Sequence, residues 1–197
     1  MTDDELMILI QSGTVEAFNT LVAKYQGMLI GFFMRNTRDL QLSEDLAQET
    51  LLKVYNQAWD YLPLGRFRGW MFRIARNLLI DNVRKRSNDA LVQAVKRQPR
   101  EESDVMARIS EDILGPDERV QNQEFSSLID ELLAEIPEDQ RQTFTLHHYT
   151  GLSLPEVSEI MEIPLATSKS RLRLAREKLA EKLRARGFVP PKLVGSE

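Results

Sequence analysis

The chain has 197 residues, 42% hydrophobic and 28% charged, and no cysteine, which excludes a disulfide framework, a thiolate metal centre and a built-in thiol redox sensor. No apolar run reaches membrane-spanning length, and Met1-Thr2-Asp3-Asp4-Glu5 is acidic where a secretory signal is basic, so a cytoplasmic chain without membrane insertion is expected. The net charge of -4 hides a division: Arg66 to Arg86 holds seven basic residues against the one acid Asp81, Thr167 to Arg186 holds eight against two, and each window is +6 on an acidic body.

Apolar spacing is helical nearly throughout, with no sustained alternation, which predicts an all-α protein. Asp3 or Asp4 opens a first helix, and Thr14 caps a second that carries Phe18, Leu21, Val22, Tyr25, Leu29 and Phe32 on one side. Ser43 opens a third, running to about Trp59. After a break at Pro63 and Gly65, a fourth runs from about Gly69 to Ser87, and the four form one bundle over 1–87. Periodicity weakens over 88–118, where Glu101 to Glu118 holds seven acids against Arg108 alone, the composition of a flexible acidic linker.

A second small helical domain, 119–187, resumes the apolar spacing at Val120, Phe125, Leu128, Ile129, Leu132 and Leu133. Pro137, Glu138 and Asp139 suit a helix start and a helix to about His148. Ser153-Leu154-Pro155-Glu156 matches a capping box, opening a short helix to Met161. Glu162-Ile163-Pro164 is then a three-residue turn into a helix from about Leu165 to Arg186, stopped by Gly187 and followed by a tail at 188–197. Two helices across so short a turn predict a helix-turn-helix.

On the last helix Leu165, Leu172, Ala175, Leu179 and Leu183 share one sector, the expected buried seam. The opposite side carries Thr167, Ser170, Arg171 and Leu174, flanked by Lys169 and Arg173, where a recognition helix meets phosphates and base edges. On the fourth helix Arg73, Arg76, Asn77, Ile80 and Arg84 form a stripe, with Arg66, Phe67, Arg68 and Trp70 at its entrance. Arginines hold phosphates, Asn reads a base edge and rings stack on unpaired bases, although Trp70 and Phe72 also fit plain core packing. The third helix buries Leu46, Ala47, Thr50, Leu51, Val54 and Ala58, leaving Asp45, Gln48, Glu49, Leu52 and Asn56 outward as a docking face or a solvated one.

Nearly the whole chain resembles bacterial extracytoplasmic-function sigma factors. Ser43-Glu44-Asp45-Leu46-Ala47-Gln48-Glu49-Thr50 is similar to the family's polymerase-gripping segment, and Phe67-Arg68-Gly69-Trp70-Met71-Phe72-Arg73-Ile74-Ala75-Arg76-Asn77 to its minus-ten melting segment. Ile136-Pro137-Glu138-Asp139-Gln140-Arg141, Gly151-Leu152-Ser153 and Thr167-Ser168-Lys169-Ser170-Arg171-Leu172 resemble its region four. The resemblance implies that Asp45, Gln48, Glu49, Leu52 and Asn56 meet core RNA polymerase, whose beta-prime clamp and beta flap the family grips. It implies that Arg66, Phe67, Arg68, Trp70, Arg73, Arg76, Asn77 and Arg84 meet the minus-ten element, and that Ser153, Thr167, Lys169, Ser170, Arg171 and Arg173 meet the minus-thirty-five duplex of promoter DNA. The loop from about Trp59 to Arg68, with Asn77, would hold a base flipped from the minus-ten strand. An anti-sigma factor is an implied partner, and no cofactor, metal or catalytic residue is implied.

This chain departs from the family at three places. Glu162 stands where glycine is usual, Pro155 where an acid is common, and Leu174 where a basic residue is frequent. Two rival classes stand beside the resemblance. An enzyme would rest on His147-His148, whose side chains point about 100° apart on a helix and share one metal poorly. A stand-alone helix-turn-helix regulator needs only Ser153 to Arg186 and leaves the first bundle unexplained.

Overall fold

The computed structural model describes residues 1–93 and 127–188, with backbone alone for 87–93. Most of the expected linker, Val120 and Phe125, and the tail from 189 onward lie outside the described residues. The chain divides into two units, Met1–Val105 and Met106–Glu197, and among the described residues every regular element is helical.

Among the described residues the first unit is built on four α-helices. Helix α1 (Asp3–Gln11) starts at a capping box one residue earlier than expected: the Thr2 hydroxyl accepts from the Glu5 amide, and the Glu5 carboxylate accepts from the Thr2 amide. Helix α2 (Val15–Thr37) follows Thr14, whose side chain makes no capping bond, and ends at Arg38 in the left-handed region. Helix α3 (Leu40–Asn56) begins earlier than the predicted Ser43. The Asp39 carboxylate accepts from the Leu42 amide and is the true cap. Ser43 lies inside the first turn, buried, with its hydroxyl turned back onto the Asp39 carbonyl at 2.7 Å. The predicted end at Trp59 also shifts, because α3 stops at Asn56 and a single 3-10 turn (Ala58–Asp60) follows.

Helix α4 (Phe67–Gln93) begins two residues before Gly69 and passes the predicted stop at Ser87. Apolar periodicity fades there, but no proline or glycine follows until Pro99, and backbone propensity alone continues a helix that has a folded base. The core joins Leu21, Leu29 and Phe32 of α2, Leu46, Leu51 and Val54 of α3, and Met71, Phe72 and Leu79 of α4, all essentially inaccessible. Phe32 meets Phe72 edge-on at 5.5 Å and 76°, the geometry in which a ring's positive edge meets a negative face.

In the second unit a helix described over 127–134, here α5, packs Leu132, Leu133 and Ile136 against Ala175, Leu179 and Leu183. Pro137 occupies the cap of α6 (Glu138–Phe144) rather than its first turn, and its carbonyl accepts from the Gln140 and Arg141 amides. The helix then widens into a π turn (Thr145–Tyr149) before Gly151. Helix α7 (Leu154–Met161) carries the expected capping box, with Ser153 and Glu156 satisfying each other's amides. Helix α8 (Leu165–Ala185) buries Ser168, Leu172, Ala175, Leu179 and Leu183.

Leu165 does not join that seam as predicted: it is the first helical residue, lies beyond the packed turns, and is 37% exposed. Between α7 and α8 the departure from glycine is structural. Glu162 adopts φ 55°, ψ 43°, a left-handed conformation that costs an L-residue about 1–2 kcal/mol. The Glu162 amide bonds to the Glu159 carbonyl and the Ile163 amide to Ser158, so the turn keeps its shape against that strain.

Candidate nucleic-acid interface

The basic window on α4 divides by environment. Arg66, Arg73, Asn77, Arg84 and Lys85 are exposed, whereas Arg68 and Arg76 are half-buried. Arg68 is engaged with the Tyr25 hydroxyl, and Arg86 pairs with Asp39 at 3.1 Å. Phe67, predicted to stack on DNA, is a correction: it is 2% exposed, with ring centroids 5.4 Å from Tyr25 and 5.7 Å from Tyr61. Its position at the first residue of α4 turns it under the preceding loop, into the core. Trp70 is half-buried against Tyr61 at 5.1 Å, so one ring surface is already covered. The ring that does face solvent is Trp59, 76% exposed, together with Leu62 and Leu64.

What holds that loop was not anticipated. Asp3 accepts from the Tyr25 hydroxyl and pairs with Lys24, while Asp4 accepts from the Tyr61 hydroxyl and from the Gly65 amide. Burial, then the bond to Asp3, raises the Tyr25 phenol above its ordinary pKa, and burial, then Asp4, raises Tyr61 likewise. The hydrogen bond to Asp3 also raises Lys24. Gln11 donates to the Ala58 and Tyr61 carbonyls. These partners lie 47 to 61 residues apart for Asp4 and Gln11, so no local sequence signal announces them.

On α3 the inward set is buried, and Asp45, Gln48, Glu49, Leu52 and Asn56 are exposed, with Leu52 at 57%. The closest ion pair there, Lys53 with Glu49, is loose at 3.9 Å. Tyr55 beside them packs on Phe18 of α2 at 4.9 Å and remains partly open.

On α8 the count of eight cations overstates the free charge. Lys182 pairs with Glu135, and Arg186 with Glu131 and Glu135, so two of the cations at the far end are taken up by α5 and the turn after it. Arg171, predicted to face the groove, is also tied to its own unit. Its side chain is 24% exposed and donates to Asp139 at the start of α6. Arg173 bonds Glu177 one turn on, both well exposed. Ser153 has its hydroxyl committed to Glu156, and Thr167 is half-buried. Lys169 and Ser170 stand exposed in the first two turns, and Leu174 is half-buried.

The two histidines are occupied in packing. His147 Nδ1 bonds the Leu152 carbonyl at 2.7 Å, and His148 Nε2 accepts from Arg176 at 3.1 Å. Burial, then Arg176, lowers the His148 imidazole to about 4, so it stays neutral as an acceptor must. Among the described residues no helix is long and apolar enough to cross a membrane.

Arg171 and Lys169, two residues apart and so on different faces of α8, are expected to differ in role. Lys169→Ala is expected to reduce the salt dependence of duplex binding by about one phosphate contact. Arg171→Ala is expected to leave that slope nearly unchanged and to lower the second unit's melting temperature, since it strips Asp139 of its partner. Titrations of duplex affinity against salt, run beside thermal melts, separate the two; an equal loss of slope in both variants places Arg171 at the DNA after all.

Comparison with known proteins covers both units. The family model for sigma-70 region 2 matches residues 21–88, and that for sigma-70, region 4 matches 126–179. The RNA polymerase sigma-H factor of Pseudomonas aeruginosa is 30% identical over 190 residues, spanning 92% of this chain and 93% of the relative. The ECF RNA polymerase sigma factor SigW of Bacillus subtilis is 30% identical over 175 residues, 89% of this chain and 93% of that one. Among solved structures, CnrH in complex with the cytosolic domain of CnrY aligns with TM-score 0.65 at 21% identity, covering 93% of this chain and 97% of the other. The sigma factor RpoE in complex with the anti-sigma factor NepR from Bartonella quintana aligns at 0.67 and 22%, covering 85% and 96%. At those identities the two structures speak to the fold.

Proposed function

The chain belongs to the sigma-70 family of RNA polymerase subunits, in its extracytoplasmic-function branch, and from that we propose how its surfaces divide the work of promoter-specific initiation. As a sigma factor it binds core RNA polymerase and directs it to promoters. The match at 21–88 accounts for the first bundle, which a stand-alone helix-turn-helix regulator leaves without a role.

In this reading the α3 face of Asp45, Gln48, Glu49, Leu52 and Asn56 docks on the polymerase clamp. The exposed cations Arg66 in the loop and Arg73 and Arg84 on α4, with Asn77 and the Trp59 loop, meet the opened minus-ten strand. Lys169, Ser170 and Arg173 at the start of α8 meet the minus-thirty-five duplex. Phe67 supports the α4 surface from the core, while Arg171 is tied to Asp139 and Ser153 caps α7 with its hydroxyl on Glu156. The domains follow as region two over 1–87 and region four over 119–187, tethered by 88–118. The chain performs no catalysis of its own and works in the cytoplasm, in a stress or envelope response. The solved RpoE relative is bound by an anti-sigma factor. A partner of that kind is expected to hold this chain.

The observation that carries the reading is the coexistence of an exposed acidic, leucine-centred face on α3 with exposed cations on α4 of the same unit. A self-sufficient DNA binder has no use for the first. Purified chain added to core polymerase is expected to produce runoff transcripts from a cognate promoter, while the chain alone binds that promoter weakly. Tight operator binding without polymerase, and no transcript with it, would reverse the assignment.

A further inference from the structure

The loop between α3 and α4 keeps Trp59, Leu62 and Leu64 at 76%, 68% and 71% exposure, while Tyr61 of the same loop packs on Phe67 and Trp70. Three large apolar side chains on one short connection are expected to fold inward unless the backbone is held. It is held from one helix. Asp4 and Gln11 lie seven residues apart, two turns along one face of α1, and between them make four hydrogen bonds to the loop. Gln11 donates to the Ala58 carbonyl at 2.8 Å and to the Tyr61 carbonyl at 3.0 Å. Asp4 accepts from the Tyr61 hydroxyl and, at 2.7 Å, from the Gly65 amide, where φ is +73°.

We infer that Asp4 and Gln11 are positioning residues, a clamp on α1 that fixes the loop so that Trp59, Leu62 and Leu64 form a seat for one unpaired base. The inference rests on the reading that this loop meets the opened strand. Charge supports the assignment of role. A carboxylate near a nucleic-acid surface repels phosphate, so Asp4 does not bind the strand; both its oxygens are instead spent on the loop, one on a phenol and one on a backbone amide. The Tyr61 ring, sandwiched near Phe67 and Trp70, transmits that anchorage to the base of α4. A base seated on a fixed aromatic loses little to ordering the protein, which is what a recognition pocket requires when extrusion of the base is itself unfavourable.

The test uses holoenzyme and a minus-ten non-template oligonucleotide in which a single abasic site is walked along the strand. Wild type is expected to lose about tenfold or more in affinity at one position, the size of one base-aromatic stack. Gln11→Ala and Tyr61→Phe, the latter keeping the ring and deleting only the hydroxyl that Asp4 accepts, are expected to flatten that position to within about twofold, by losing the seat rather than the strand. Core-polymerase affinity, and affinity for the oligonucleotide already abasic there, should stay at wild-type values. Asp4→Ala should do the same, and Asp4→Asn, which keeps one acceptor, should fall between. A peaked profile retained in Gln11→Ala or Tyr61→Phe overturns the clamp. So does a uniform loss at every position and at core polymerase, the mark of a merely structural role. A flat profile in wild type sinks the base-holding reading of the loop itself, a different failure from a peak the variants leave untouched.

Discussion

Leu52→Arg is expected to weaken binding to core RNA polymerase by about 30- to 1,000-fold, the range of an interface anchor lost at the centre of its patch. The side chain is 57% exposed at the middle of the α3 face, between Gln48 and Glu49 on one side and Asn56 on the other. Leu46, Ala47, Thr50, Leu51 and Val54 occupy the opposite side and are all buried, so an arginine at 52 enters no core. It also lies three residues from Glu49, a spacing that favours the isolated helix by about 0.2–0.5 kcal/mol. Stability should therefore be kept while docking is lost. Fluorescence anisotropy of labelled chain against core polymerase measures the first quantity, and a thermal melt the second. Affinity within threefold of wild type would move the polymerase contact off α3.

The helices were readable because helix formation is local. Capping chemistry placed α7 to the residue, since Ser153 and Glu156 need only each other. It misplaced α3, because Asp39 and Ser43 both qualify as caps and the carboxylate nearer the preceding turn took the role. The exposed side of α3 was readable for a similar reason: one buried face leaves one exposed face.

Charge was less readable. Counting along the chain gave the window from Thr167 to Arg186 a net +6, yet Glu131, Glu135 and Asp139, from α5, the turn after it and α6, take up Arg171, Lys182 and Arg186. Such pairing depends on which helices pack together, information that a linear window does not hold. The clamp of Asp4 and Gln11 was hidden for the same cause at greater range. Its residues are unremarkable in α1, and only the tertiary approach of α1 to the 3-10 turn gives them partners.

Aromatic residues in a basic window are ambiguous until burial assigns them, and Phe67 and Trp59 make the contrast measurable. Phe67→Ala is expected to cost the first unit about 3–5 kcal/mol, the toll of emptying a buried phenylalanine site. The ring is 2% exposed and sits among Tyr25, Tyr61 and Trp70, three neighbours too large to collapse into the space. For a domain of this size that loss lowers the melting temperature by on the order of 20 °C. The second unit should keep its own transition in a calorimetric scan. Trp59→Ala is expected to do the reverse: at 76% exposure it leaves stability within about 0.5 kcal/mol. It should still weaken single-strand binding by the worth of one stacked base, about 1–3 kcal/mol. If Phe67→Ala instead melts like wild type and loses only the strand, the ring belongs to the DNA and the core assignment fails.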